Sequence, residues 1–177
     1  MATLPVENPF VSVEEYLRTA YGPDCEYVDG RIEERNVGEL EHSILQRFLT
    51  VLFFMNRDAW GVEVFPELRT RVSSTRFRVP DLLVVAKGTS IDRVLEEPPL
   101  IAIEILSPED RLGRLQQRIT DYLGFGVENI WVFNAEERVA WRATGTGLHV
   151  VADGELTVAG TPIRVVLSEV FGELDRG

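Results

Sequence analysis

The sequence predicts an α/β (α+β) layered fold, a mixed central β-sheet flanked by helices, and three observations lead there. Residues 79–85 and 100–108 are apolar almost throughout, which is how strands buried on both faces read. Strand, helix and strand alternate once, across residues 100–133, as a parallel pair with a crossover helix requires. Elsewhere short alternating runs are separated by turn residues, an antiparallel character. The 177 residues suit one domain, 1–177, with a sizeable core, and the 45% hydrophobic content is that of an ordinary globular chain.

Along the chain, Ser12-Val13-Glu14-Glu15 has the form of a capping box, with Val11 and Tyr16 as a staple, and predicts a helix over residues 13–21. Asp29-Gly30 between two short alternating runs in residues 26–34 predicts a tight hairpin. Leu45, Phe48, Leu49, Leu52 and Phe53 recur at three and four, placing a helix over residues 40–56 against a sheet, with His42 near its inner face. Residues 66–73 and 75–79 read as strands of a meander around Ser73-Ser74, leading into Pro80-Asp81 and the run to Val85. The polar connection 91–99 ends in Pro98-Pro99, which cannot extend a helix. After the central strand, Ser107-Pro108-Glu109-Asp110 opens a helix with Leu112, Leu115, Ile119, Tyr122 and Leu123 as its buried stripe and Gly124 and Gly126 as its stop. Residues 129–133 are another apolar strand and 138–142 alternate after the Asn134-Ala135-Glu136-Glu137 turn. The last third reads as short strands broken by glycines.

A formal net charge of -11 argues against a broad basic surface for nucleic acid and leaves room only for a local basic groove. Lys87 is the single lysine, so the other basic side chains are arginines. The lone Cys25 excludes an internal disulfide, and with His42 and His149 it gives no zinc set of the usual spacing; His149 reads as a surface residue. No apolar run approaches the roughly 18 to 20 residues of a membrane span. The start, Met1 to Glu7, lacks a basic region followed by an apolar one, so the expected location is cytoplasmic, with no membrane partner.

Two acids stand alone in apolar surroundings, Asp81 in the first run and Glu104 in Leu100-Ile101-Ala102-Ile103-Glu104-Ile105-Leu106. A buried ionised carboxylate is costly unless it is paired or binds a metal. Pairing of the two strands would bring both carboxylates to one end of a sheet, where they would suit a hard divalent cation, Mg²⁺ or Mn²⁺. Taken singly, each acid has a simpler reading: Pro-Asp opens strands and turns, and a lone buried Glu pairs with a buried Arg.

Val79-Pro80-Asp81 with its apolar run, then Ile103-Glu104-Ile105-Leu106-Ser107-Pro108 and a helix into Tyr122 and Gly126-Val127, resemble the PD-(D/E)XK superfamily. Within it, Tyr27-Val28-Asp29-Gly30, His42 at the start of the next helix, and Asn129-Ile130-Trp131-Val132 resemble the Uma family of restriction-endonuclease-like proteins. The resemblance spans residues 11–142 and Phe171. It implies a restriction-endonuclease-like mixed sheet flanked by helices, Mg²⁺ (or Mn²⁺) at Asp81 and Glu104, and a DNA phosphodiester as target. The candidate site residues are then Asp81, Glu104, Arg118 and His42.

The chain also departs from the pattern. The superfamily's lysine, two residues after the acid, is Leu106 here, and the Uma family's lysine, four residues before the tyrosine, is Arg118. An acid frequent one turn earlier in that helix is Arg114. Arginine compensates phosphate charge but accepts no proton. Arg111, Arg114 and Arg118 form a stripe; the first two read as a solvated face, whereas Arg118 borders the buried stripe and would neutralise the acids in the absence of metal. His42 either orients a water or phosphate or is a satisfied core histidine. The expected function is a Mg²⁺-dependent DNA endonuclease, at full or weakened strength, with a homodimer as the candidate assembly. The alternatives are a non-catalytic nucleic-acid- or protein-binding module, with Arg118 bonded to Glu104 and Asp81 in place of a metal, and an oligomeric subunit whose acidic surface binds protein.

Overall fold

The computed structural model describes residues 10–36 and 38–176; the opening segment from Met1 to Glu7, and its reading as leaderless, lie outside them. Among the described residues the elements in order are α1 (Val13–Arg18), β1 (Cys25–Val28), β2 (Arg31–Glu34), α2 (Leu40–Trp60), β3 (Val62–Pro66), β4 (Thr70–Ser73), β5 (Arg76–Arg78), β6 (Leu82–Ala86) and β7 (Ile101–Leu106). Then follow α3 (Leu112–Phe125), β8 (Asn129–Asn134), β9 (Val139–Thr144), β10 (Gly147–Val150), β11 (Glu155–Thr157), β12 (Arg164–Val166) and α4 (Leu167–Gly172). No helix among them is long and apolar enough to cross a membrane.

A six-stranded sheet in the order β10-β9-β8-β7-β6-β3 forms the centre, and its mixed character rests on one parallel pair, β7 with β8, joined through α3. The neighbouring pairs are antiparallel. β7 is buried from Ile101 to Ile105 because helices cover both faces. On one face Leu45, Leu49 and Phe53 of α2 pack with Leu82, Ile103 and Trp131, together with Val170 and Phe171 of α4. On the other, Leu115, Ile119 and Tyr122 of α3 pack with Leu83, Ala102 and Val132. The fold is thus the mixed α+β layered sheet that the apolar runs and the single crossover predict.

A second sheet, β2-β1-β5-β4, sits beyond α3. Its alternation divides the side chains cleanly. Tyr27 and Phe77 turn to Tyr16 of α1 in an aromatic cluster, while Glu26 and Arg78 turn the other way, Arg78 reaching Asp121 of α3. Helix α3 therefore shows an apolar side to the large sheet and an ionic side to the small one.

Several sequence expectations are corrected. α1 stops at Arg18 because Thr19 is already extended, whereas α2 runs on to Trp60, where Gly61 takes the left-handed conformation (φ 65°) that closes a helix. The expected meander divides: β4 and β5 pair in the small sheet, whereas β6 joins the large one beside β3 (Val62–Pro66), a strand outside that expectation, which Glu67, with φ 53°, separates from β4. Residues 107–110 form a turn, and α3 begins only at Leu112, which is 64% exposed rather than part of the buried stripe. Gly124 lies within α3, and Gly126 alone caps it. The last third also contains α4, whose six residues are too few to show a helical period in sequence.

Candidate functional site

The antiparallel register of β6 and β7 sets Leu82 opposite Ile103, so the next residue pair along is Asp81 and Glu104. Both side chains are buried, at 5% and 2% exposure, and Asp81 Oδ2 accepts the Ile105 N–H at 2.7 Å. The structure thus brings the two solitary acids of the sequence side by side. Each is already engaged. Asp81 Oδ1 faces Arg35 Nη2 at 2.8 Å and His42 Nε2 at 3.2 Å. Glu104 Oε2 accepts from Arg118 Nη1 at 2.8 Å, and its Oε1 accepts from the Tyr122 hydroxyl at 2.5 Å.

All four candidates therefore converge, with one correction to the partners. Arg118 holds Glu104 but not Asp81; it also lies 3.5 Å from Asp110 and 3.7 Å from Glu26, and Asp81 is held by Arg35 and His42 instead. Lys87 is far from this chemistry in role, pairing on the surface with Asp58. Arg111 and Arg114 are exposed, as a solvated face requires, and so is His149.

Sequence reasoning missed Arg35 and Glu26. Arg35 lies between the hairpin and α2, where nothing marks one arginine as half-buried. Glu26 lies in a strand whose alternation reads as half-exposed, yet β1 is a central strand of the small sheet, covered by α3 on the Glu26 side. Glu26 Oε1 accepts the Val79 N–H, two residues before Asp81, and its Oε2 meets Arg78 Nη1 at 2.8 Å. Arg78 completes the seam through Glu33 and Asp121, with Nη2 buried and unpartnered among the described residues.

Burial pushes the Glu104 carboxyl up to about 7, with the nearby Asp81 and Glu26 charges adding to it and Arg118 and Tyr122 opposing. Burial also keeps Tyr122 protonated well beyond a phenol's ordinary range, so it stays a donor to Glu104. Arg118 is held above its usual value by Glu104. For His42, burial disfavours the imidazolium, but the hydrogen bond and charge of Asp81 outweigh it and raise the pKa.

These shifts give a sign for stability. Glu104 and His42 both bind protons more tightly folded than unfolded. Their contribution is complete below the unfolded values, about 4.3 and 6.5, and is lost as pH rises through the folded ones. The metal-free protein is therefore expected to lose melting temperature from about pH 5 to 8, with Glu104→Gln flattening the lower part of the decline. A melting temperature that rises across that window would contradict the assignment.

Beside His42 opens a cleft of about 300 Å³ lined also by Leu106, Ser107, Asn134, Glu39 and Glu136, at the ends of β7 and β8. Among the described residues no group of three or more His, Cys, Asp or Glu side chains converges as a metal cage. The donor set is two carboxylates, oxygen only. That set fits Mg²⁺, which keeps several waters and takes one or two carboxylates together with substrate phosphates.

A family model named Uma2 and described as "Putative restriction endonuclease" matches residues 13–158. Among solved structures, the chain is similar to "a putative nuclease belonging to DUF820" from Anabaena variabilis, at 20% identity and a TM-score of 0.77, covering 93% of this chain and 99% of that one. At that identity the likeness speaks for a common fold. A structure titled "DrdV-DNA complex" also matches, at 14% identity and a TM-score of 0.43, over 74% of this chain and 10% of that one, too weakly to mark a shared fold. No curated protein matches the chain.

Proposed function

The chain belongs to the Uma2 family, whose model is described as "Putative restriction endonuclease", and we propose that it is a Mg²⁺- or Mn²⁺-dependent endonuclease acting on the phosphodiester bonds of DNA. The observation that supports it is the juxtaposition of Asp81 and Glu104, two buried acids that the interior strands β6 and β7 of the mixed sheet bring together, Asp81 just before β6 and Glu104 within β7. These two residues would hold the cation. When bound, it lowers the pKa of its water and sets positive charge against the phosphate.

The remaining groups divide the work by their chemistry. The Ile105 N–H and the His42 imidazole fix the orientation of the Asp81 carboxylate. The hydrogen bond and charge of Asp81 favour the protonated form of His42 against its burial, which suits it to a donor's role toward that carboxylate. Arg118 and Arg35 are permanent cations next to the acids, suited to balance phosphate charge and unable to take a proton. Glu104, near 7 without a cation, would give up its proton on taking one, so its ligand role is favoured as pH rises.

A second reading, a non-catalytic binding module, is favoured by one specific feature: every carboxylate oxygen of Asp81 and Glu104 already accepts a donor, so the acids are neutralised without a metal. One experiment separates the two. Supercoiled plasmid is incubated with the protein at low salt, with and without Mg²⁺ or Mn²⁺, and the melting temperature is followed in parallel. The endonuclease gives metal-dependent nicking and metal-dependent stabilisation, both lost in Asp81→Ala and Glu104→Ala. A folded wild type that neither cuts nor gains stability with metal is a binding module.

A further inference from the structure

Arg118 is shared. Its Nη1 is bonded to Glu104, yet its Nη2 lies 3.5 Å from Asp110 Oδ1, and Asp110 is itself held in place. Asp110 Oδ2 accepts the Ser107 N–H at 2.7 Å, its backbone N–H closes the turn onto Ser107 O at 2.9 Å, and its Oδ1 accepts from Asn36 Nδ2 at 3.0 Å. The other neighbouring acid, Glu26, is committed to Arg78 and to the Val79 N–H. A cation settling on Glu104 would meet the guanidinium whose Nη1 sits 2.8 Å from the same carboxylate, and two positive charges sharing one buried carboxylate repel.

Resting on the metal-dependent reading above, we infer that Asp110 is a positioning residue that receives Arg118 when a divalent cation takes Glu104. The turn Ser107-Pro108-Glu109-Asp110 is then the seat of that second position. Arg118 passes from Glu104 to Asp110 by a small rotation of its side chain, because its Nη2 already faces that acid. It is kept beside the site, where its guanidinium remains available to a phosphate, instead of being expelled to solvent. The sequence departure from lysine to arginine acquires a reason: a planar, forked cation can contact two carboxylates at once, as a lysine ammonium on one stem does less well. Asp110 acts through Arg118 and does not itself ligate the cation.

The test is a double-mutant cycle on binding of Mn²⁺ alone, measured by calorimetry at about pH 8. Asp110→Asn is expected to weaken Mn²⁺ binding roughly tenfold in the wild-type background, because displaced Arg118 has lost its receiver, and to change it little in Arg118→Gln. Arg118→Gln alone is expected to bind Mn²⁺ more tightly than wild type. An equal loss from Asp110→Asn in both backgrounds makes Asp110 an ordinary ligand or a distant charge and overturns the inference while leaving the metal site standing. Absence of Mn²⁺ binding in wild type and Arg118→Gln alike removes the metal-dependent reading and the inference with it. Should Arg118→Gln fail to fold, the side-chain ¹⁵N resonances of Arg118 give the answer in wild type: addition of Mg²⁺ shifts them, and the shift differs in Asp110→Asn. Resonances unmoved by bound Mg²⁺ overturn the proposal.

Discussion

Arg78→Met is expected to destabilise the protein by about 3–5 kcal/mol, the cost typical of removing one partner from a buried ionic cluster. Arg78 is 1% exposed and is the common partner of Glu26, Glu33 and Asp121, at 2.8, 3.3 and 2.7 Å. Methionine fills much of the same volume, so the effect reports charge rather than a cavity. Without the guanidinium, Glu26 keeps the Val79 N–H and Asp121 keeps Arg76, but their second oxygens face each other's charge across the seam. Chemical denaturation checks the size. Adding Glu26→Gln to Arg78→Met should recover part of the loss, since one uncompensated charge is then gone. A single-variant cost below about 1 kcal/mol would place the seam's energy elsewhere.

Arg118→Ala is the second large effect, and its signature is its pH dependence. At about pH 8 the variant must either bury Glu104 as a charge bonded only to Tyr122 or take up a proton that the wild type does not need, and a loss of up to about 3–5 kcal/mol is expected. Near pH 5.5 the same variant should lose far less. Burial already raises Glu104 to about 7 with Arg118 present; without that guanidinium the carboxyl holds its proton more tightly and costs little to bury. Stability measured at both pH values distinguishes this from simple loss of packing, which would give the same difference at each. For Arg78→Met no such relief is expected at pH 5.5.

Much of the fold was legible because burial on two faces writes itself as uninterrupted apolar sequence. β6 and β7 carry that signature, and each carries one acid that does not belong to it. The hairpin at Asp29-Gly30 and the stripe of α2 were equally readable, since both depend on local geometry. What was hidden depends on partners distant in sequence. Nothing near residues 62–73 says that β3 belongs to one sheet and β4 to another, because only residues 67–69, with Glu67 left-handed, separate them. Within the site, Asp81, Glu104, His42 and Arg118 were visible as residues out of place in apolar surroundings or at positions of a known pattern. Arg35 was not, because a loop arginine looks the same whether it meets water or Asp81. Glu26 was hidden for the same reason, as its burial is conferred by α3, some ninety residues on.

The two-sided character of α3 also bears on how this sequence can change over generations. On the apolar side, a leucine exchanged for methionine or isoleucine keeps volume and is tolerated one substitution at a time. Along the ionic side, Arg78, Glu26 and Asp121 form an interlocked set in which any single exchange strands a charge. Drift on that side must therefore proceed through compensated pairs, so that the two flanks of one helix record different evolutionary tempos, independent substitution on one and correlated substitution on the other.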